Sequence, residues 1–124
     1  MSKISILIVE DELIPAYNLS NFLKRNDYRV VGIANSGEKA LEMVEKDRPN
    51  IVLMDILLRG NLNGIETARR LQEKSNIAIV YQTAFSDLET KQQAKLAGNY
   101  FYIIKPFQFS NLLKILKEAV ELKI

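Results

Sequence analysis

The sequence predicts an α/β protein, with residues 1–124 forming one domain around a doubly wound, five-stranded parallel sheet in the order 2-1-3-4-5. Two observations carry this. Five β-rich runs alternate with amphipathic segments along the chain, joined by short connections. Several runs are continuously apolar, as suits strands covered by helices on both faces. Right-handed crossovers and one reversal of winding leave few topologies. The 2-1-3-4-5 order puts the first and third strands side by side where the winding reverses.

The first strand is predicted over 4–9 and stops on Glu10-Asp11. A helix over 13–26 follows, with Leu19, Phe22 and Leu23 on one side and Pro15 near its start, where a missing N–H does no harm. The second strand spans 29–34. The second helix, 36–47, opens on Ser36; Lys39 stands where a capping box would carry Glu, and Ala40, Leu41 and Val44 form the stripe. The third strand, 51–54, stops on Asp55. The helix over 64–74 buries Ile65, Ala68 and Leu71. The fourth strand, 77–82, stops on Thr83. A helix over 87–97 is framed by Asp87 and Gly98, a good N-cap and C-cap. The fifth strand, 100–104, stops on Lys105. The last helix, 110–122, opens on Ser110 and carries Leu112, Leu113, Leu116, Ala119 and Val120.

Composition narrows the chemistry. The chain has 124 residues, no cysteine and no histidine. Disulfides, thiolate sites, imidazole bases and a phosphohistidine on this chain are therefore excluded. Only carboxylates, hydroxyls, lysine and arginine remain. A net charge of +2 is too small to argue for nucleic acid. The basic surplus sits in the second half, partly on Lys91, Lys95, Lys114, Lys117 and Lys123, and reads first as solvated helix faces. No apolar stretch approaches the ~20 residues of a membrane span. Met1-Ser2-Lys3 runs straight into a strand rather than a signal-peptide layout, so a cytoplasmic protein without membrane contact is expected.

Parallel strands deliver their polar ends to one edge of the sheet, where open α/β folds bind ligands. Glu10, Asp11 and Asp55 should therefore converge. Unpaired, such acids repel one another and raise at least one pKa; a hard divalent cation relieves this, and oxygen-only donors favour Mg²⁺. Thr83 adds a hydroxyl and Lys105 an ammonium. The Lys105-Pro106 bond can be cis at low cost, and a tight turn there would aim the lysine inward. Each residue alone reads as an ordinary polar strand end. Together they point to metal-assisted acyl-phosphate chemistry.

With these residues in view, the chain resembles the CheY-like (flavodoxin-like) receiver domains of two-component response regulators. The resemblance covers essentially the whole chain. It rests on Ile6-Leu7-Ile8-Val9-Glu10-Asp11-Glu12, Met54-Asp55, Gly64, Thr83-Ala84, Gly98 and Lys105-Pro106-Phe107. It implies Asp55 as the phosphoryl acceptor and Glu10, Asp11, Asp55 and the Leu57 carbonyl as the Mg²⁺ site, Asp11 being the favoured direct ligand. It also implies Thr83 and Lys105 on the phosphoryl oxygens, and Tyr102 as an aromatic that turns inward when Thr83 moves. Tyr102 also reads as an edge aromatic packing on the last helix. The implied donor is a sensor histidine kinase or histidine phosphotransfer protein, and the implied output is a downstream protein target. A homodimer through the 87–97 helix, the fifth strand and the last helix is a further implication. The chain would be a single-domain regulator or a receiver cut from a longer one, and a switch rather than a turnover enzyme.

Some features depart from the family. The acidic pair is Glu-Asp where Asp-Asp is commoner. The loop 56–64 is one residue longer than usual and has Arg59-Gly60 where proline is frequent. Asn99-Tyr100-Phe101 makes the last strand unusually aromatic. Leu57 and Phe85, at the positions that influence water access in this family, are bulky and apolar, which predicts slow loss of the phosphoryl group. Other readings fit less well. A haloacid-dehalogenase-like phosphohydrolase would carry a second Asp where Leu57 stands. A flavin-binding site would not begin with Glu10-Asp11-Glu12, and there is no GxxxxGK[ST] loop. A degenerate scaffold would not keep Asp55, Thr83 and Lys105.

Overall fold

In a computed structural model, residues 3–56, 58, 62–83 and 101–123 are described. The elements are β1 (Ser5–Val9), α1 (Leu13–Arg25), β2 (Arg29–Ala34), α2 (Gly37–Asp47), β3 (Ile51–Asp55), α3 (Gly64–Lys74), β4 (Ala78–Thr83), β5 (Phe101–Ile104) and α4 (Phe109–Lys123). All strand pairs are parallel and the sheet order is β2-β1-β3-β4-β5, as the sequence predicts. The expected helix over 87–97, with its caps, lies outside the described residues.

Alternation along the strands divides the interior in two. Leu7, Val9, Val52, Met54, Ile79 and Tyr81 face Ala40 and Val44 of α2 and Ala68 and Leu71 of α3. Ile6, Ile8, Ile51, Leu53, Ala78, Val80 and Ile103 face the other way, against Ala16, Leu19 and Leu23 of α1 and Leu112, Leu116 and Ala119 of α4. Each fully buried Leu or Ile stabilises the fold by roughly 1.5–3 kcal/mol. Two layers of such residues explain why strands buried on both faces read as unbroken apolar runs.

Local signals set the helix ends. Lys39 N–H donates to Ser36 Oγ (3.1 Å), so half of a capping box forms although Lys39 replaces Glu. Glu66 N–H donates to Asn63 Oδ1 (2.8 Å) and starts α3. Lys24 and Arg25 in the last turn of α1 complement its dipole. The last helix begins at Phe109, one residue before the expected Ser110. Phe109 stacks on Phe22 of α1, with ring centroids 4.1 Å apart.

Candidate active site and metal centre

At the carboxyl ends of β1, β3, β4 and β5, the apolar alternation on the α1/α4 face turns polar. After Ile6 and Ile8 comes Glu10; after Ile51 and Leu53, Asp55; after Ala78 and Val80, Gln82; after Ile103, Lys105. Period-two geometry therefore places four polar side chains on one face at the carboxyl edge of four adjacent strands. Glu10 N–H donates to Ala34 O (2.9 Å), which carries the β1–β2 ladder to the first of them.

The expected cluster forms. Glu10, Asp11 and Asp55 each bring a carboxylate oxygen within 4.8 Å of the others. Lys105 Nζ donates to Glu10 Oε1 (3.2 Å) and to Asp55 Oδ2 (3.4 Å), and the Lys105–Pro106 bond is cis. Glu10 is 2% exposed and Asp55 9%. Burial first, and then the neighbouring Asp55 carboxyl group, pushes the Glu10 pKa from 4.5 up to about 8, against the pull of Lys105. Burial by itself lowers the Lys105 pKa, but the charges of Asp55 and Glu10 outweigh it, and the ammonium is held above its ordinary value.

The residues fit a divalent cation. Glu10 Oε2 is buried without a hydrogen-bond partner among the described residues. It belongs to a donor set made of oxygen alone, beside two further carboxylates. A hard cation would satisfy that oxygen and offset the burial, and then the Asp55 carboxyl group, that raise Glu10.

The end of β3 is braced from below. Gly64 N–H donates to Ile56 O (2.9 Å), and a Cβ on Gly64 would overlap the Asp55 carbonyl oxygen and come within 2.8 Å of Ile56 Cα. Only glycine permits this approach. Leu62 N–H donates to Glu38 Oε1 (3.1 Å), tying the entry to α3 to the start of α2. Tyr102 is half-buried against the α2/α3-side cluster, and its register partner is Tyr81. Leu57, Ala84, Phe85, Gly98, Asn99 and Tyr100 lie outside the described residues, as does the side chain of Thr83. Sequence reasoning missed Gln82 and Glu38. Gln82 could have been found as an amide inside an otherwise apolar run; Glu38 looked like any exposed acid in a first helical turn.

Fold and site define a class: a small doubly wound α/β protein with an acidic, lysine-bridged crevice at the point where the winding reverses. The chain belongs to the response regulator receiver domain family, whose pattern matches residues 6–117. PdtaR, a transcriptional regulatory protein of Mycobacterium tuberculosis, is 35% identical over 115 residues, covering 93% of this chain and 56% of that protein. This chain thus spans about half the length of that relative. Sporulation initiation phosphotransferase F of Bacillus subtilis is 32% identical over 124 residues, covering 99% of this chain and 98% of the relative. The signal receiver domain of a modulated diguanylate cyclase from Desulfovibrio desulfuricans superposes with a TM-score of 0.89 at 37% identity, covering 96% and 94% of the two chains.

Proposed function

We propose that residues 1–124 form one receiver domain that accepts a phosphoryl group on Asp55 and changes its surface in response. The observation that carries this is the Lys105 ammonium lying between Glu10 and Asp55, at 3.2 and 3.4 Å. An acidic nucleophile and a mobile cation share one crevice, and phosphoryl transfer needs positioning and charge neutralisation more than proton chemistry. The donor is a phosphohistidine on a sensor histidine kinase or histidine phosphotransfer protein, because this chain has no histidine of its own. An Asp55 oxygen attacks phosphorus; the P–N bond breaks and its electron pair stays on the donor's imidazole. Lys105 follows the charge onto the phosphoryl oxygens.

Glu10, Asp11, Asp55 and the Leu57 carbonyl would hold Mg²⁺. When bound, that ion supplies charge neutralisation for the phosphoryl oxygens. Thr83 takes a phosphoryl oxygen, and Tyr102 relays its movement to the β5 edge, where a downstream protein or a second copy of the chain can dock. The domain modifies itself and turns over no substrate. Two findings support this reading: the end-to-end likeness to a sporulation initiation phosphotransferase, and the partial likeness to a transcriptional regulator. Among the described residues no helix is long and apolar enough to cross a membrane.

The test is acetyl phosphate with Mg²⁺, read by intact mass. One phosphoryl group per chain is expected, with complete loss in Asp55→Asn and a large loss in Lys105→Ala. Equal labelling of wild type and Asp55→Asn rejects the assignment. Leu57 and Phe85 are proposed to exclude hydrolytic water. A Leu57→Asn/Phe85→Glu double variant should therefore lose its label faster than wild type; equal lifetimes refute that role.

A further inference from the structure

The junction between β3 and α3 carries a reactive pair that stands outside the phosphoryl chemistry. Asn63-Gly64 is the sole Asn-Gly pair in the chain. Glycine has no Cβ, so nothing shields its backbone nitrogen from the carboxamide carbon of the preceding residue. In an open chain that nitrogen attacks the carboxamide and a five-membered ring closes. The structure holds both reacting groups away from that path. Asn63 Oδ1 accepts from Glu66 N–H (2.8 Å) as the cap of α3. The Asn63 carbonyl accepts from Thr67 N–H (3.0 Å) and from the Thr67 hydroxyl (2.7 Å). Gly64 is buried, and its N–H donates to Ile56 O (2.9 Å). Ring closure requires Gly64 to release its proton and the carboxamide to swing off its cap, so the first turn of α3 must open first.

We infer that Asn63-Gly64 is a modification site, closed in the folded domain and reactive when the start of α3 opens, whose conversion to isoaspartate ends phosphoryl acceptance. The last part rests on the reading of Asp55 as acceptor. The chemistry needs only water and hydroxide. Hydroxide removes the Gly64 N–H proton and the nitrogen bonds to Asn63 Cγ. The side-chain nitrogen leaves as ammonia, with the electron pair of its C–N bond and a proton from water. Water then adds to one of the two ring carbonyls. The C–N bond at that carbon breaks, and its electron pair and a proton return to nitrogen. The net exchange is one water taken up and one ammonia released. Opening at one carbonyl leaves aspartate at position 63. Opening at the other leaves isoaspartate, whose main chain runs through the former side chain and is one methylene longer. The junction has no room for that methylene. Even a Cβ on Gly64 would overlap the Asp55 carbonyl oxygen and come within 2.8 Å of Ile56 Cα. The end of β3 must yield, and Asp55 with it.

The experiment incubates the full chain in mildly alkaline buffer, folded or held open by urea, and reads aspartate and isoaspartate at position 63 by peptide mapping. Conversion in urea is expected. Folding should slow it roughly tenfold or more, because only a small open fraction then reacts. Equal rates in the two samples overturn the closed site, and no conversion in urea overturns the site altogether. The isoaspartyl chain is then separated, returned to buffer and offered acetyl phosphate with Mg²⁺, beside Asn63→Asp carried through the same urea step. Labelling of the isoaspartyl chain should fall on the order of a hundredfold, the cost of misplacing a reacting group by about 1 Å. Asn63→Asp keeps the cap and adds the same charge, so it should label at the wild-type rate. An isoaspartyl chain that fails to refold where Asn63→Asp succeeds supports the same claim, since the junction then cannot take the longer backbone. An isoaspartyl chain that labels like wild type overturns the loss of acceptance. An Asn63→Asp protein as slow as the isoaspartyl chain assigns the loss to charge and overturns the role of the longer backbone. If wild type takes no label, the reading of Asp55 fails, while the conversion rates still decide the site.

Discussion

The two edges of the sheet treat polar groups in opposite ways. At the amino edge, Ser5 and Asn50 close on each other. Ser5 N–H and Oγ both donate to Asn50 Oδ1, at 2.8 and 3.0 Å, and Asn50 N–H reaches Ser5 Oγ at 3.1 Å. The backbone of Asn50 also bridges β1 to β4 through Ser5 O and Ala78 N. At the carboxyl edge, Glu10 Oε2 and Gln82 Nε2 are buried and unpaired among the described residues, and Glu10 is pushed up to about 8. The first edge is finished as a structure. The second keeps buried polar groups without partners among the described residues, so it contributes less stability than its burial would allow.

Perturbing the edges separately sharpens the contrast. The largest effect on folding should come from Gly64→Ala. The added Cβ meets the Asp55 carbonyl and Ile56 Cα, which are backbone and cannot turn aside. A cost of about 2–3 kcal/mol is expected, typical of overpacking, together with slower labelling of Asp55 because the strand that carries it must shift. Chemical denaturation and labelling by intact mass check the two parts. A fully stable Gly64→Ala protein would show that the close approach is not maintained in solution.

Asn50→Ala tests the opposite edge and should act on stability alone. It removes the acceptor of two Ser5 donors while leaving the Asn50 backbone bonds in place. The expected loss is about 1–2 kcal/mol, with the labelling rate of Asp55 unchanged. A labelling defect larger than the stability defect would mean that the two edges communicate through β1 and β3.

Much of this contrast was legible in the sequence. The four strand ends on Glu10-Asp11, Asp55, Thr83 and Lys105 were visible because continuous apolar runs mark buried parallel strands, and a parallel sheet collects their ends. α3 was placed to the residue on the stripe of Ile65, Ala68 and Leu71, and the structure adds Asn63 as its cap. What could not be read was pairing at a distance. Ser5 and Asn50 are separated by 45 residues, and Glu38 and Leu62 by 24. Neither pair has a local signal. α4 starts at Phe109, one residue before Ser110, a difference within the ordinary spread of helix ends. Gln82 was passed over because a single amide does not break an apolar run.

A pH slope, the one effect that needs no substitution, isolates Glu10. Unfolded, this carboxyl group titrates near 4.5; folded, burial and Asp55 raise it to about 8. Between those values the native protein holds a proton that the unfolded chain has released. Stability must therefore fall as pH rises from about 5 to about 8. Lys105 contributes no slope there, because its raised pKa keeps it charged in both states throughout that window. Without divalent ions the melting temperature should drop by on the order of 10 °C across it. Glu10→Gln should flatten the slope, since the amide carries no titrating proton. Added Mg²⁺ should oppose it as well, because cation and proton compete for the same carboxylate. Asn50→Ala should keep the wild-type slope at a lower overall stability, placing the pH response at the carboxyl edge alone. A slope that survives in Glu10→Gln would assign it to another group and remove the electrostatic half of the contrast between the edges.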